Sequence, residues 1–136
     1  MTVEELIENF EFLDEWTERY RYLIELGRDL EPLSDYERVA HHLVSGCISK
    51  VWLVMDPPSA DGTLHFRADS DAHIVKGLVK IALLFFQGKT RAEIERADPL
   101  PLYAELGLDE HLSVNRRNGF VSMLGRIKAL SASSGS

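Results

Sequence analysis

The chain has 136 residues, 45% of them hydrophobic and 27% charged, which fits one soluble domain with its own core and excludes a disordered or collagen-like polymer. A net charge of −7 argues against nucleic acid and anionic membrane surfaces as partners, since both need a basic face. The acidic start, Met1 to Glu5, does not read as a signal peptide, and the single cysteine excludes an internal disulfide and paired-cysteine zinc or dithiol chemistry, so the expectation is a cytoplasmic protein.

Thr2 to Glu5 has capping-box spacing and opens a helix with Leu6, Ile7 and Phe10 on its apolar face. In the next helix Trp16, Tyr20 and Leu23 recur at i, i+4 and i+7; Asp14 is placed to cap its start and Gly27 to close its end. Residues 28–35 are a connector, and residues 36–45 suit a helical turn followed by a short strand. Residues 50–55 read as a strand buried on both faces, and 63–68, with Leu64, Phe66 and Ala68 alternating inward, as its hairpin partner.

Asp69 and Asp71 look like caps for a long helix whose stripe of Ile74, Val75, Leu78, Ile81, Ala82 and Phe85 ends at Gly88. This apolar segment is too short to span a bilayer and carries Lys80 in its middle. A further helix starts at Thr90, with Glu93 at the reciprocal capping position, and stops at 98–101. Residues 102–106 form one or two turns closed by Gly107, and a last helix runs from about Arg116 to Leu130 with Leu124 and Ile127 inward. The expected organisation is a single domain over 1–130 and a flexible tail over 131–136. The fold class is α+β, a small antiparallel sheet with helices packed on one side.

Cys47 is the one residue with evident covalent chemistry. A lone cysteine is most often a small buried hydrophobe. Here Gly46 precedes it and Ser45 and Ser49 surround it, the composition of a loop tip. A free thiol with a pKa of roughly 8.5 is only a few per cent ionised near neutral pH, so a reactive one needs a neighbouring cation. Lys50, His41 and His42 are candidates, as are Arg116 and Arg117 if the last helix starts beside the loop. A hydrolytic role would need a histidine, an acid and an oxyanion site, and no such signature is present. A metal site from His41, His42 and Cys47 is disfavoured, because neighbouring residues of a strand point to opposite faces.

The stretches "ERYRYLIELGRDL", "SGCISKVWLV", "FRADSDAHIVKGL", "QGKTRAEI" and "LGLDEHLSVNRRNGF" occur in this order between Glu18 and Phe120. Together they resemble the SufE-like proteins, sulfur acceptors of cysteine desulfurases in iron-sulfur cluster assembly. The resemblance implies a SufE/IscU-like α+β fold and makes Cys47 the residue that accepts sulfane sulfur as a persulfide. It implies a thiolate-stabilising role for Arg116, and partner-docking or loop positions at Gly46, Ser49, Lys50, Trp52, His111 and Asn118. The implied partners are a SufS- or CsdA-type desulfurase and a downstream iron-sulfur scaffold. Pyridoxal phosphate would belong to the desulfurase and no cofactor to this chain, which would be a monomer or weak homodimer. Where the family pattern reads "PGCQSQVW" and "SPSRS", this chain has Ser45, Ile48 and Lys50, and Val114 and Arg117; the thiol is kept. The rival reading is a docking regulator of a desulfurase in which Cys47 is inert.

Overall fold

The computed structural model describes residues 1–46 and 49–133; Cys47, Ile48 and residues 134–136 lie outside the described residues. In chain order the elements are α1 (Val3–Phe12), α2 (Trp16–Arg28), a 3-10 turn (Ala40–His42), β1 (Val51–Met55), β2 (Phe66–Ser70), α3 (His73–Phe86), α4 (Arg91–Arg96), α5 (Leu100–Glu105), α6 (Leu108–His111) and α7 (Val114–Ser133). The class is α+β, as the sequence indicates.

The local start signals operate as expected. The Thr2 hydroxyl accepts the Glu5 amide at 3.1 Å, and at Thr90 both halves of the capping box form. α2 departs from expectation at both ends. Its N-cap is Glu15, without a side-chain hydrogen bond, in place of Asp14, and Gly27 lies inside the helix. That glycine is required by packing: a Cβ on it would come within 2.5 Å of the Lys76 Cβ, and a Cβ on Gly77 within 2.1 Å of the Leu23 carbonyl oxygen. α2 and α3 therefore cross with backbone against backbone, a contact that no periodicity within either helix encodes.

β1 and β2 pair antiparallel with Val51 opposite Ser70 and Met55 opposite Phe66. The second strand begins and ends later than the alternation predicts, because Asp69 and Ser70 are extended and do not cap α3. The Ser70 hydroxyl donates to the Lys50 carbonyl at 2.7 Å, the Asp71 carboxylate accepts the Lys50 amide at 3.0 Å, and α3 starts from Ala72 without a side-chain cap. Leu64 still points inward, its backbone bonded to Lys89 and Gly88. On the free edge of β2 the Gln87 amide takes the place of a strand, accepting from the Phe66 N–H at 2.8 Å and donating to its carbonyl at 2.7 Å.

The sheet is buried on one face, and the reading of β1 as buried on both is corrected. Val51, Leu53, Phe66 and Ala68 enter the core with Leu23, Leu26, Leu78, Ile81, Phe86 and Ile127, whereas Trp52 and Val54 are half-buried beside Asp69 and Arg67. On this outer face the Arg67 guanidinium forks between two carboxylates. It donates to Asp56 at 2.9 Å and to Glu37 at 3.0 Å, fastening the connector before the 3-10 turn to the sheet.

The hydrogen bonds from Arg67, followed by the Ser34 amide, hold the Glu37 carboxyl at about 2, well below its ordinary 4.5. A depressed carboxyl stabilises the fold above its unfolded pKa and loses that contribution as pH falls through its folded value. Thermal melts of Glu37→Gln are therefore expected to lie below wild type at pH 7. The two should converge as pH drops from about 4.5 toward 2, where the wild type loses its advantage.

α4 stops at Arg96, before the 98–101 stretch expected to end it, and α5 begins at Leu100, two residues ahead of the predicted turn, with Pro99 as its N-cap and Pro101 in its first turn. α7 is longer than predicted at both ends. It starts at Val114, where the Ser113 hydroxyl accepts the Arg116 amide at 3.3 Å, and continues through Ser131 to Ser133, where the sequence suggests a tail; Ser131 is buried. Among the described residues no helix is long and apolar enough to cross a membrane.

Candidate functional site

The early start of α7 brings Arg116 to the beginning of β1. Between β1, α3 and α7 lies a cavity of about 360 Å³ walled by Val51, Val75, Leu78, Val79, Phe120 and Met123. Its polar lining is Ser49, Ser113, Asn115 and Arg116. Behind Phe120 the Tyr103 ring is stacked at 4.4 Å, and burial pushes its phenol up to about 12. The Tyr103 hydroxyl is buried with no hydrogen-bond partner among the described residues.

Both chain neighbours of the undescribed pair 47–48 are tied to this place. Ser49 lines the cavity. Gly46 has φ +88°, a backbone angle that favours glycine, and a Cβ on it would lie 2.6 Å from the Ser122 Oγ on α7. Cys47 itself falls outside the described residues. The arrangement provides an apolar chamber with one guanidinium at its edge, next to the segment that carries the only thiol.

The remaining sequence candidates do not line this cavity. Lys50 is exposed, and its backbone is bonded to Asp71. Trp52 sits on the outer face of β1, so Val51 is the strand residue that walls the chamber. His111 stacks on Trp16 at 3.9 Å, and its carbonyl accepts the Tyr20 hydroxyl. Asn118 is exposed on α7 and belongs to a different face from Arg116. His41 and His42 occupy the 3-10 turn and not a strand; Nδ1 of His42 lies 2.7 Å from the Glu37 carbonyl oxygen. No group of three or more possible metal ligands occurs among the described residues.

Sequence reasoning missed Asn115, Gly119, Phe120 and Met123. A signal existed in their spacing, since Arg116, Gly119, Phe120 and Met123 stand at i, i+3, i+4 and i+7 and share one helical face once α7 begins at Val114.

Comparison with known proteins agrees with this architecture. A SufE-like protein of Rhizobium meliloti strain 1021 is 47% identical over 130 residues, covering 94% of this chain and 93% of its own length. One of Rhizobium etli is 44% identical over 131 residues, covering 93% and 87%. The solution structure of a hypothetical protein from Thermus thermophilus superposes with a TM-score of 0.70 over 98% of both chains at 20% identity, a likeness of fold. The SufE family profile, described as an Fe-S metabolism associated domain, matches residues 4–131. The chain therefore belongs to the SufE family, and its role lies in iron-sulfur metabolism.

Proposed function

We propose that the chain is a sulfur acceptor and carrier, taking sulfane sulfur from a pyridoxal-phosphate-dependent cysteine desulfurase onto Cys47 and releasing it to an iron-sulfur scaffold. The observation that carries this reading is the apolar cavity edged by Ser49 and Arg116, with Gly46 held against α7 on the other side of the thiol segment. A carrier needs a nucleophilic sulfur and cover for its loaded form, and it needs no acid-base dyad of its own.

The transfer is a displacement at sulfur. The Cys47 thiolate attacks the terminal sulfur of the donor's persulfide, one S–S bond forms as the other breaks, and the donor's cysteine departs as a thiolate. The proton of the terminal sulfur travels with it, leaving Cys47 as a persulfide, and no external oxidant or reductant is consumed. Because the chain has a single cysteine, no internal thiol can discharge the product as a disulfide. The Arg116 guanidinium favours the ionised thiol by charge alone.

Intact-mass spectrometry after incubation with a cysteine desulfurase and free cysteine tests this. One added sulfur is expected, removable by dithiothreitol and mapping to Cys47 in peptide digests. An unchanged mass under conditions where the desulfurase turns over would refute the carrier.

A further inference from the structure

No acidic side chain follows Glu110, so α7 bears Arg116, Arg117, Arg126 and Lys128 with no acid, in a protein of net charge −7. α1 is the reverse, with Glu4, Glu5, Glu8 and Glu11 and no base. Charge is thus segregated to opposite ends of the chain. α7 buries Phe120, Met123, Leu124 and Ile127. On its other side Val114, Arg117, Asn118 and Val121 stand at i, i+3, i+4 and i+7, and the two valines are 59% and 56% exposed. No side chain of α7 takes part in an ion pair among the described residues. Val114 and Val121 flank Arg117, whose guanidinium donates to the Asp109 carbonyl and meets no carboxylate among the described residues, and aliphatic side chains beside such a cation are the makings of a protein contact. Ser122, the residue after Val121, meets Gly46, the residue before Cys47, so a protein that covers this face lies beside the segment that carries the thiol.

We propose that the face of α7 formed by Val114, Arg117 and Val121 docks the sulfur-donating protein, through an apolar patch on that protein rimmed by carboxylates. The inference rests on the acceptor reading and adds the surface and the chemistry of the partner. Opposite charge recruits and orients the donor. Nucleic acid is a poor occupant, because the valines hold the centre of the face and the overall charge is negative.

The test is desulfurase turnover measured against the concentration of this protein. Val121→Asp is expected to raise the apparent KM by about tenfold while kcat stays within about twofold of wild type. Arg117→Glu should raise KM several-fold at low salt, with the difference shrinking in about 0.5 M NaCl. Circular dichroism melts and the rate of Cys47 alkylation by iodoacetamide should match wild type in both variants, showing an intact fold and thiol. Wild-type KM in both variants overturns the proposal, as does a fall in kcat at unchanged KM. Concentration-dependent sedimentation of the wild type that Val121→Asp abolishes, with KM unaffected, assigns the face to a second copy and also overturns it.

Should the wild type gain no sulfur, the acceptor reading fails, and binding to fluorescein-labelled desulfurase followed by anisotropy still decides the docking. Weaker binding by Val121→Asp upholds it, and equal binding overturns it.

Discussion

Gly77→Ala is expected to destabilise the protein by about 3 kcal/mol, lowering its melting temperature by roughly 10 °C. In an open helix the same change would help, since alanine is favoured over glycine by about 1 kcal/mol. The sign is decided by what the added methyl meets. At Gly77 it would lie 2.1 Å from the carbonyl oxygen of Leu23, a backbone atom that cannot rotate aside, so α2 and α3 must separate. α3 also packs on β2 and α7, and the displacement spreads through the core. Gly125 is the internal control. It is exposed on α7 with nothing within 4 Å of a built Cβ, so Gly125→Ala should stabilise by about 0.5–1 kcal/mol. Thermal unfolding of the two variants beside wild type checks both signs in one experiment.

Replacing the sulfur has the largest expected effect on function. Cys47→Ser should fold with an unchanged melting curve, gain no mass on incubation with desulfurase and cysteine, and lose the stimulation of desulfurase turnover. Serine retains a hydroxyl of similar shape, but its oxygen is not ionised at neutral pH and does not displace sulfur from a persulfide. The rival reading, a docking regulator with an inert cysteine, requires the opposite: stimulation kept in full by the serine variant. Turnover with and without each protein, measured as alanine released, separates the two.

What is legible in the sequence is what short stretches decide for themselves. The Thr2 cap, the capping box at Thr90 and the apolar stripe of α3 each follow from residues within a few positions of one another, and the hairpin of β1 and β2 from two neighbouring strand-like runs. Features set by contacts across the fold mislead a reader of the sequence. Gly27 has the form of a helix stop, and only the approach of Lys76 and Gly77 explains why it is small. Asp69 and Asp71 have the form of caps, yet the Lys50 backbone and the cations of Arg38 and Lys76 engage them.

The cavity shows the same division. The sequence alone singles out Cys47 and Arg116, but apart from Val51 the hydrophobic walls come from α3 and the middle of α7, far along the chain from the thiol. His111 and Asn118 share a motif with Arg116 and not a location, because a helical turn sends neighbours in sequence to different faces.

The Gln87 amide bonded along β2 has a consequence for how the protein keeps company in a crowded solution. An unpaired strand margin invites a foreign strand to zip onto it and seed fibrils. Here the donor and acceptor of Phe66 are already engaged by a side chain of the same molecule, anchored at the end of α3. A two-stranded sheet, too small to protect itself by adding neighbours, is thereby closed at that point to accidental polymerisation.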